Sequence, residues 1–339
     1  MGAPQDEGAD APRHPPVARV PGLSAAIGPG TWLALSVQAR HTSAAIGTRG
    51  RLGARARDDE LPAEVEQVEQ AAQVSQSRVA GHSSLPRAGD RGPRASRAAL
   101  RVVELVLDRA NLTIADLEGL CVANGPGAFT ALRVAISVVQ GIGIARRLPV
   151  IAVPSLAALA VAAVAGSGAS RSLVLTAIDA RMGQCYFGAW LVTESPLATS
   201  DSLPLPLPTR PIAVIAGAVG DGGAAVAAFE AALAAHGPQV SAVVLAGSAF
   251  AIDPALQRWR PAVAAPARPP RLRAELEVEA ADVLRAALAD PLPEAAATYD
   301  WGPMPASALR PLYLRDKVAL DIDEQQSLAR ARYASSSSP

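Results

Sequence analysis

From Phe129 to about Arg146 the chain reads as one uninterrupted helix, closed by Pro149 and apolar on two faces. Phe129, Leu132, Ile136, Val139 and Gly143 fall on one stripe, while Val134, Val138, Ile142 and Ala145 fall on another. A helix that covers its own sheet needs a single apolar face, so two faces mean deep burial or a protein partner. The sequence alone leaves both readings open. Ser137, Gly141 and Ala145 recur four apart, a spacing that lets another backbone come close. Just ahead, Leu120 to Ala123 reads as a brief apolar strand followed by Asn124-Gly125-Pro126-Gly127. A glycine loop between a strand and a helix start is a place where backbone N–H groups can meet an anion. This loop lacks the Lys-Ser/Thr ending of a P-loop and the spacing of a dinucleotide fingerprint. A tight turn that needs two glycines is the competing reading.

The flanking elements set this helix in a layered domain. Between Ser96 and Ala110, Ala99, Val102, Val103, Val106 and Ala110 share one stripe, and Leu100 and Leu107 widen the apolar surface. Asn111 ends that helix, and Thr113 with Asp116 has the spacing of a capping box for a short turn. Leu33 to Ile46 suits a strand or hairpin arm, and Gly47 to Gly50 turns into a more polar strand. Asp58 to Pro93 reads as a long polar connection. Val150 to Val153 is the next strand, and Ser155 is placed to cap the Ala-rich helix after it. Leu173 to Ile178 and Gln184 to Val192 form a hairpin around Asp179-Ala180-Arg181-Met182-Gly183. Ser195 to Pro211 is Pro-rich and loop-like, Ser241 to Leu245 a strand, and Arg273 to Ala289 a helix. Strands alternating with helices and opening with hairpins predict an α/β protein of two related lobes.

Charge and cysteine use narrow the function. Basic and acidic residues balance at 31 each, whereas a chain that grips nucleic acid by itself carries a basic excess. Half of the residues are hydrophobic and only 4% aromatic, so the core must be built from Ala, Val, Leu and Ile. Cys121 and Cys185 lie in apolar strand-like runs and make neither a disulfide framework nor a zinc site, which points to a reducing, cytoplasmic setting. Residues 1–30 lack the apolar core of a signal peptide, and the longest apolar run, Leu156 to Ala165, is too short to span a bilayer. His14, His41, His82 and His236 are scattered, and no Gly-x-Ser-x-Gly elbow occurs. Asp179 and Arg181 suit a turn or a structural ion pair better than acid–base work. The sequence offers no convincing active site.

At this point a family resemblance becomes visible. Leu120-Cys-Val-Ala-Asn-Gly-Pro-Gly-Ala-Phe-Thr-Ala-Leu-Arg133 resembles the Gly-Pro-Gly-Ser-Phe-Thr-Gly-Leu-Arg segment of TsaB (YeaZ) proteins. Asn111 to Leu117 before it and Leu148 to Ala157 after it are also similar to that family. Ile178 to Tyr186 resembles its Asp-Ala-Arg-Met-Gly-Glu-Val-Tyr hairpin, and Pro311 to Ala319 its Tyr-Leu-Arg-Asn segment. The likeness is specific over Ala95 to Trp190 and again near Pro311, and weak between Ser195 and Ser307. Three departures stand out: the connection before the first helix is expanded, and two segments differ in their residues. Ser36-Val37-Gln38-Ala39 replaces the usual Asp-Thr-Ser/Ala-Thr, and Ala128 and Ala131 replace Ser and Gly.

The resemblance implies an actin-like (ASKHA, ribonuclease H-like) fold and a subunit that lacks catalytic groups of its own. It implies a role in threonylcarbamoyl transfer to adenosine in tRNA, beside a TsaD-type catalytic paralogue and a TsaE-type ATPase, with tRNA met through the complex and a homodimer when alone. Pairing would use Ala99, Val102, Val103 and Val106 on the first helix. On the second it would use Phe129, Leu132, Arg133, Ile136, Val139 and Gly143. No cofactor of its own is implied, although ATP or ADP lies near the subunit junction in some relatives, with Gly125 and Gly127 the candidate contacts. Residues 1–30 read as a disordered tail, 31–153 and 154–325 as the two lobes, and 326–339 as a flexible end. Two rival readings remain: a degenerate homologue kept as an interaction module, and an M22-type glycoprotease or sugar-kinase-like enzyme.

Overall fold

The computed structural model describes residues 30–38, 41–48, 51–60, 92–165, 167, 169–193, 211–262, 269–289 and 302–315. The expected disordered tail, most of the polar connection before Pro93, the Pro-rich stretch after Ser195 and the flexible end lie outside them. So does half of the Gly47–Gly50 turn.

One topology is used twice. The first sheet contains β1 (Trp32–Val37), β2 (Thr42–Thr48), β3 (Arg51–Arg57), β4 (Gly119–Gly125) and β5 (Pro149–Pro154), in the order β5-β4-β1-β2-β3. The first three strands run antiparallel, and β4 and β5 then join β1 in parallel. The second sheet repeats this with β6 (Arg171–Arg181), β7 (Gln184–Thr193), β8 (Ile212–Gly220), β9 (Ala242–Ala246) and β10 (Arg271–Arg273), ordered β10-β9-β6-β7-β8. A late two-residue strand, β11 (Met304–Pro305), adds antiparallel to β5 at the edge of the first sheet.

The helices fall into three layers. α1 (Gly92–Ala110) and α2 (Phe129–Arg146) pack side by side on the outer face of the first sheet. Ala99, Val102, Val106, Ile136 and Val139 meet Leu33, Leu35, Leu120 and Val122 there. α3 (Ser155–Val164) and α7 (Ala280–Leu288) fill the space between the sheets, against Ala34, Cys121 and Ile151 on one side and Val174, Trp190 and Val244 on the other. Every residue of α3 is buried, as a helix of sequence SLAALAVAAV, apolar all round, must be. α4 (Gly222–His236), with the short α5 (Ala249–Ile252) and α6 (Pro254–Arg258), covers the far face of the second sheet through Phe229, Phe250 and Leu256. Small aliphatic side chains allow this spacing. Even the buried Trp190 indole donates to Thr176 Oγ1 at 3.1 Å, and that hydroxyl donates in turn to the Gly188 carbonyl.

Several local expectations hold, and two are revised. The hairpin, the Thr113–Asp116 capping box and the Phe129–Arg146 helix form where their residues predicted. The helix expected over Arg273–Ala289 starts seven residues later. Glu279 and Asp282 make a reciprocal capping pair at Ala280, and Ser43 Oγ accepts from Ala280 N. Residues 277 and 278 are instead drawn to the end of the β1–β2 hairpin: His41 Nδ1 lies 2.8 Å from Glu277 Oε2, and Ser36 Oγ donates to the Val278 carbonyl at 2.9 Å. Ser155 does not cap α3. Pro154 holds the cap position, and the Ser155 hydroxyl is buried without a hydrogen-bond partner. By length and composition α2 could cross a bilayer, yet here one side of it lies in the core.

Candidate functional site

Three segments converge where β4 gives way to α2: the loop Asn124–Ala128, the β6–β7 turn, and the chain between Arg310 and Arg315. Gly125 adopts φ +117°, and a Cβ there would lie 2.7 Å from the Leu312 carbonyl oxygen. That is the physical reason for glycine at this position: no L side chain fits both the backbone conformation and the crossing strand. The Leu312 N–H donates to the Asn124 carbonyl at 2.7 Å, and Asn124 Nδ2 to the Arg310 carbonyl at 3.4 Å. Gly127 is under no such pressure, since a Cβ would meet only the Leu132 side chain at 3.8 Å. The chain's own backbone therefore covers the loop at Gly125. Ala128 holds the N-cap position of α2 and offers no side-chain cap.

On its other side the 310–315 segment meets the β6–β7 turn through Arg315. Arg181, Met182 and Gly183 all take positive φ, at 65°, 58° and 71°. Asp179 stabilises this conformation by accepting from the Arg181 N–H at 2.7 Å and pairing with the Arg181 guanidinium at 3.3 Å. Its role is that of a turn residue, and both partners of the pair are committed within the hairpin. Cys185, just beyond, is buried, and burial together with Asp253, Asp221 and Asp179 pushes its thiol up to about 11. Burial also raises Cys121 far above the range of a reactive thiol.

The end of β1 carries no acidic group. Ser36 is fully buried, donates to the Val278 carbonyl and accepts from Gln38 Nε2 at 2.9 Å. Its hydroxyl is satisfied by the protein itself. Among the described residues no group of three or more His, Cys, Asp or Glu side chains is placed to hold a metal ion.

The helix residues read as partner-facing separate into two sets. Ala99, Val102, Val103 and Val106 on α1, and Leu132, Ile136, Val139 and Gly143 on α2, are all buried within this chain. Gly143 lies so close to Ala306 that a Cβ would overlap that residue's methyl. Only Phe129 and Arg133 of the ten reach the surface, where the Arg133 guanidinium lies 3.8 Å from the centre of the Phe129 ring. The outer face of the helix pair is built from other residues. Ser137, Gly141 and Ala145 are exposed, Gly141 has open space around it, Ile144 is 59% exposed, and Leu100 on α1 is 47% exposed. The sequence announced this face through the four-residue spacing of Ser137, Gly141 and Ala145. Ile144 gave no signal, because the phase of the helix on the sheet is set by tertiary contacts.

Two sheets of order 5-4-1-2-3, each with an antiparallel hairpin start and parallel crossovers, define an actin-like, ribonuclease H-like protein. Comparison with known proteins is more specific. Residues 93–201 match the family model described as "TsaD: tRNA N6-adenosine threonylcarbamoyltransferase". The chain is 37% identical over 96 residues to the tRNA threonylcarbamoyladenosine biosynthesis protein TsaB of Escherichia coli, covering 28% of this chain and 41% of that one. It is 29% identical over 102 residues to the protein of the same name from Buchnera aphidicola, covering 30% and 48%. The solved structure of YeaZ from Pseudomonas aeruginosa superposes with a TM-score of 0.52 at 25% identity, over 84% of this chain and all of that one. Over these segments the chain is similar to TsaB (YeaZ) proteins, and its matches span less than half the length of these curated relatives.

Proposed function

We propose that this protein is a non-catalytic subunit for threonylcarbamoyl transfer to adenosine in tRNA, and that it scaffolds and activates a TsaD-type catalytic paralogue. The observation that carries the reading is a two-sheet actin-like fold beside a β1 end where Ser36 is neutral, buried and satisfied by Val278 and Gln38. A hydrolytic member of this fold needs a charged group there to organise metal and water.

In this reading the outer face of α1 and α2 receives the partner. Ser137, Gly141 and Ala145 permit close approach of a backbone, and Leu100 and Ile144 supply apolar area around them. The same face pairs two copies when the partner is absent. A TsaE-type ATPase joins the assembly, tRNA is met through the complex, and the setting is the cytoplasm. The subunit holds no cofactor of its own. ATP or ADP at the junction is bound away from Gly125, because the segment through Leu312 covers that residue.

Sedimentation of the chain mixed with the same organism's TsaD-type protein tests the pairing. A one-to-one or two-to-two complex is expected, and independent sedimentation of the two proteins at micromolar concentration would remove the scaffold reading.

A further inference from the structure

The segment Gly302–Arg315 belongs to neither lobe alone. It begins on the first sheet, where Met304 and Pro305 pair with Val150 and Pro149. It continues along α2, where Gln140 Nε2 donates to the carbonyls of Ala306 and Leu309 at 3.3 and 3.1 Å. It crosses the β4–α2 loop through Leu312 and Asn124, and there Tyr313 stacks on Phe129 at 5.7 Å while its hydroxyl accepts from Arg133 Nε at 3.1 Å. Within two residues it reaches the second sheet. Leu314 lies over Gly217 of β8, close enough that a Cβ there would sit 3.1 Å from its Cδ1. Arg315 donates to the Ala180 carbonyl at 3.2 Å and to Gln184 Oε1, on either side of the β6–β7 turn.

We infer that residues 311–315 are a clamp that fixes the two lobes in one relative orientation. The lobes share a buried layer, α3 with α7, and packed lobes can still move by hinge or by shear of packed helices unless a connection spans them elsewhere. Here a five-residue strap does so, with its anchors split between α2 and its loop on one side and the turn and β8 on the other. Each anchor is made by a different residue: Leu312 and Tyr313 hold the first lobe, and Leu314 and Arg315 hold the second. The positive φ at Arg181 and Met182 fits this role, because the turn conformation aims the Ala180 carbonyl and Gln184 at one guanidinium.

Hydrogen–deuterium exchange on the full chain tests it. Tyr313→Ala removes the ring that stacks on Phe129 and the hydroxyl that accepts from Arg133, both first-lobe contacts of the strap. A clamp transmits that loss, so amides of the Asp179–Cys185 turn should exchange about tenfold faster, as should those of Asn124–Phe129, while β1 and α3 keep their rates. Arg315→Ala should give the reciprocal pattern, loosening the β4–α2 loop as well as the turn. If each variant speeds exchange only in the lobe whose anchor it removes, or in neither, the clamp is refuted.

Discussion

Gly141 is a residue where the stability of the lone chain and the proposed pairing pull in opposite directions. It lies in the interior of α2 with nothing within 4 Å of where a Cβ would be. Glycine at an exposed helix interior costs about 0.8–1 kcal/mol against a good helix former. Gly141→Arg should therefore stabilise the isolated chain by about 0.7 kcal/mol and raise its thermal midpoint by roughly 1.5–3 °C, given the 2–4 °C per kcal/mol seen for domains of 150–250 residues. The same side chain places a guanidinium where a partner helix has to approach closely, and the loss of packing with desolvation of the charge should weaken pairing at least about tenfold. Thermal denaturation by circular dichroism gives the first number and a sedimentation or calorimetric titration with the TsaD-type subunit the second. A lower midpoint would mean that Gly141 is already covered in the lone chain. Unchanged affinity would mean that the partner binds elsewhere.

Ile136→Glu buries a carboxylate at a site only 5% exposed, with a loss of about 1.5–3 kcal/mol of transfer energy and several more for the unpaired charge, so urea denaturation should find the variant largely unfolded rather than folded and unable to pair. Ala128→Ser should add about 0.5–1 kcal/mol of stability in the same assay, because it supplies the missing cap of α2. Asp282 is raised from 3.8 to about 6, first by burial and against the pull of Arg285. Its protonated form is favoured by folding, so this contribution, up to about 3 kcal/mol, is complete below pH 3.8 and lost as pH rises through 6, and Asp282→Asn should flatten the stability profile between those limits. Mass spectrometry after iodoacetamide treatment at pH 8 should find Cys121 and Cys185 unmodified in the native chain and both modified in urea.

Much of this fold is legible from local chemistry. The end of α2 ahead of Pro149, the Thr113–Asp116 cap, the hairpin around Gly183 and the all-apolar α3 each follow from a few neighbouring residues. What the sequence hides is the consequence of contacts distant along the chain. The start of α7 depends on Ser43 and on the hydrogen bonds that hold residues 277 and 278 against Ser36 and His41, more than two hundred residues earlier. The two-faced apolar pattern of α2 correctly signals burial, but only the sheet decides that Leu132, Ile136 and Val139 turn inward and Ile144 outward. Gly125 looks like an anion loop until Leu312 is found above it. Met304, Ala306 and Leu309 carry no periodic signal, yet they bind the 302–315 segment to β5 and α2.

The account turns on whether this chain is needed for the chemistry of another subunit. The direct measurement is threonylcarbamoyladenosine formed on tRNA by the same organism's TsaD-type subunit, TsaE-type ATPase and threonylcarbamoyl-adenylate synthase, with and without this protein. Modification that appears only when the chain is added is the predicted result. Equal modification in its absence would contradict the account.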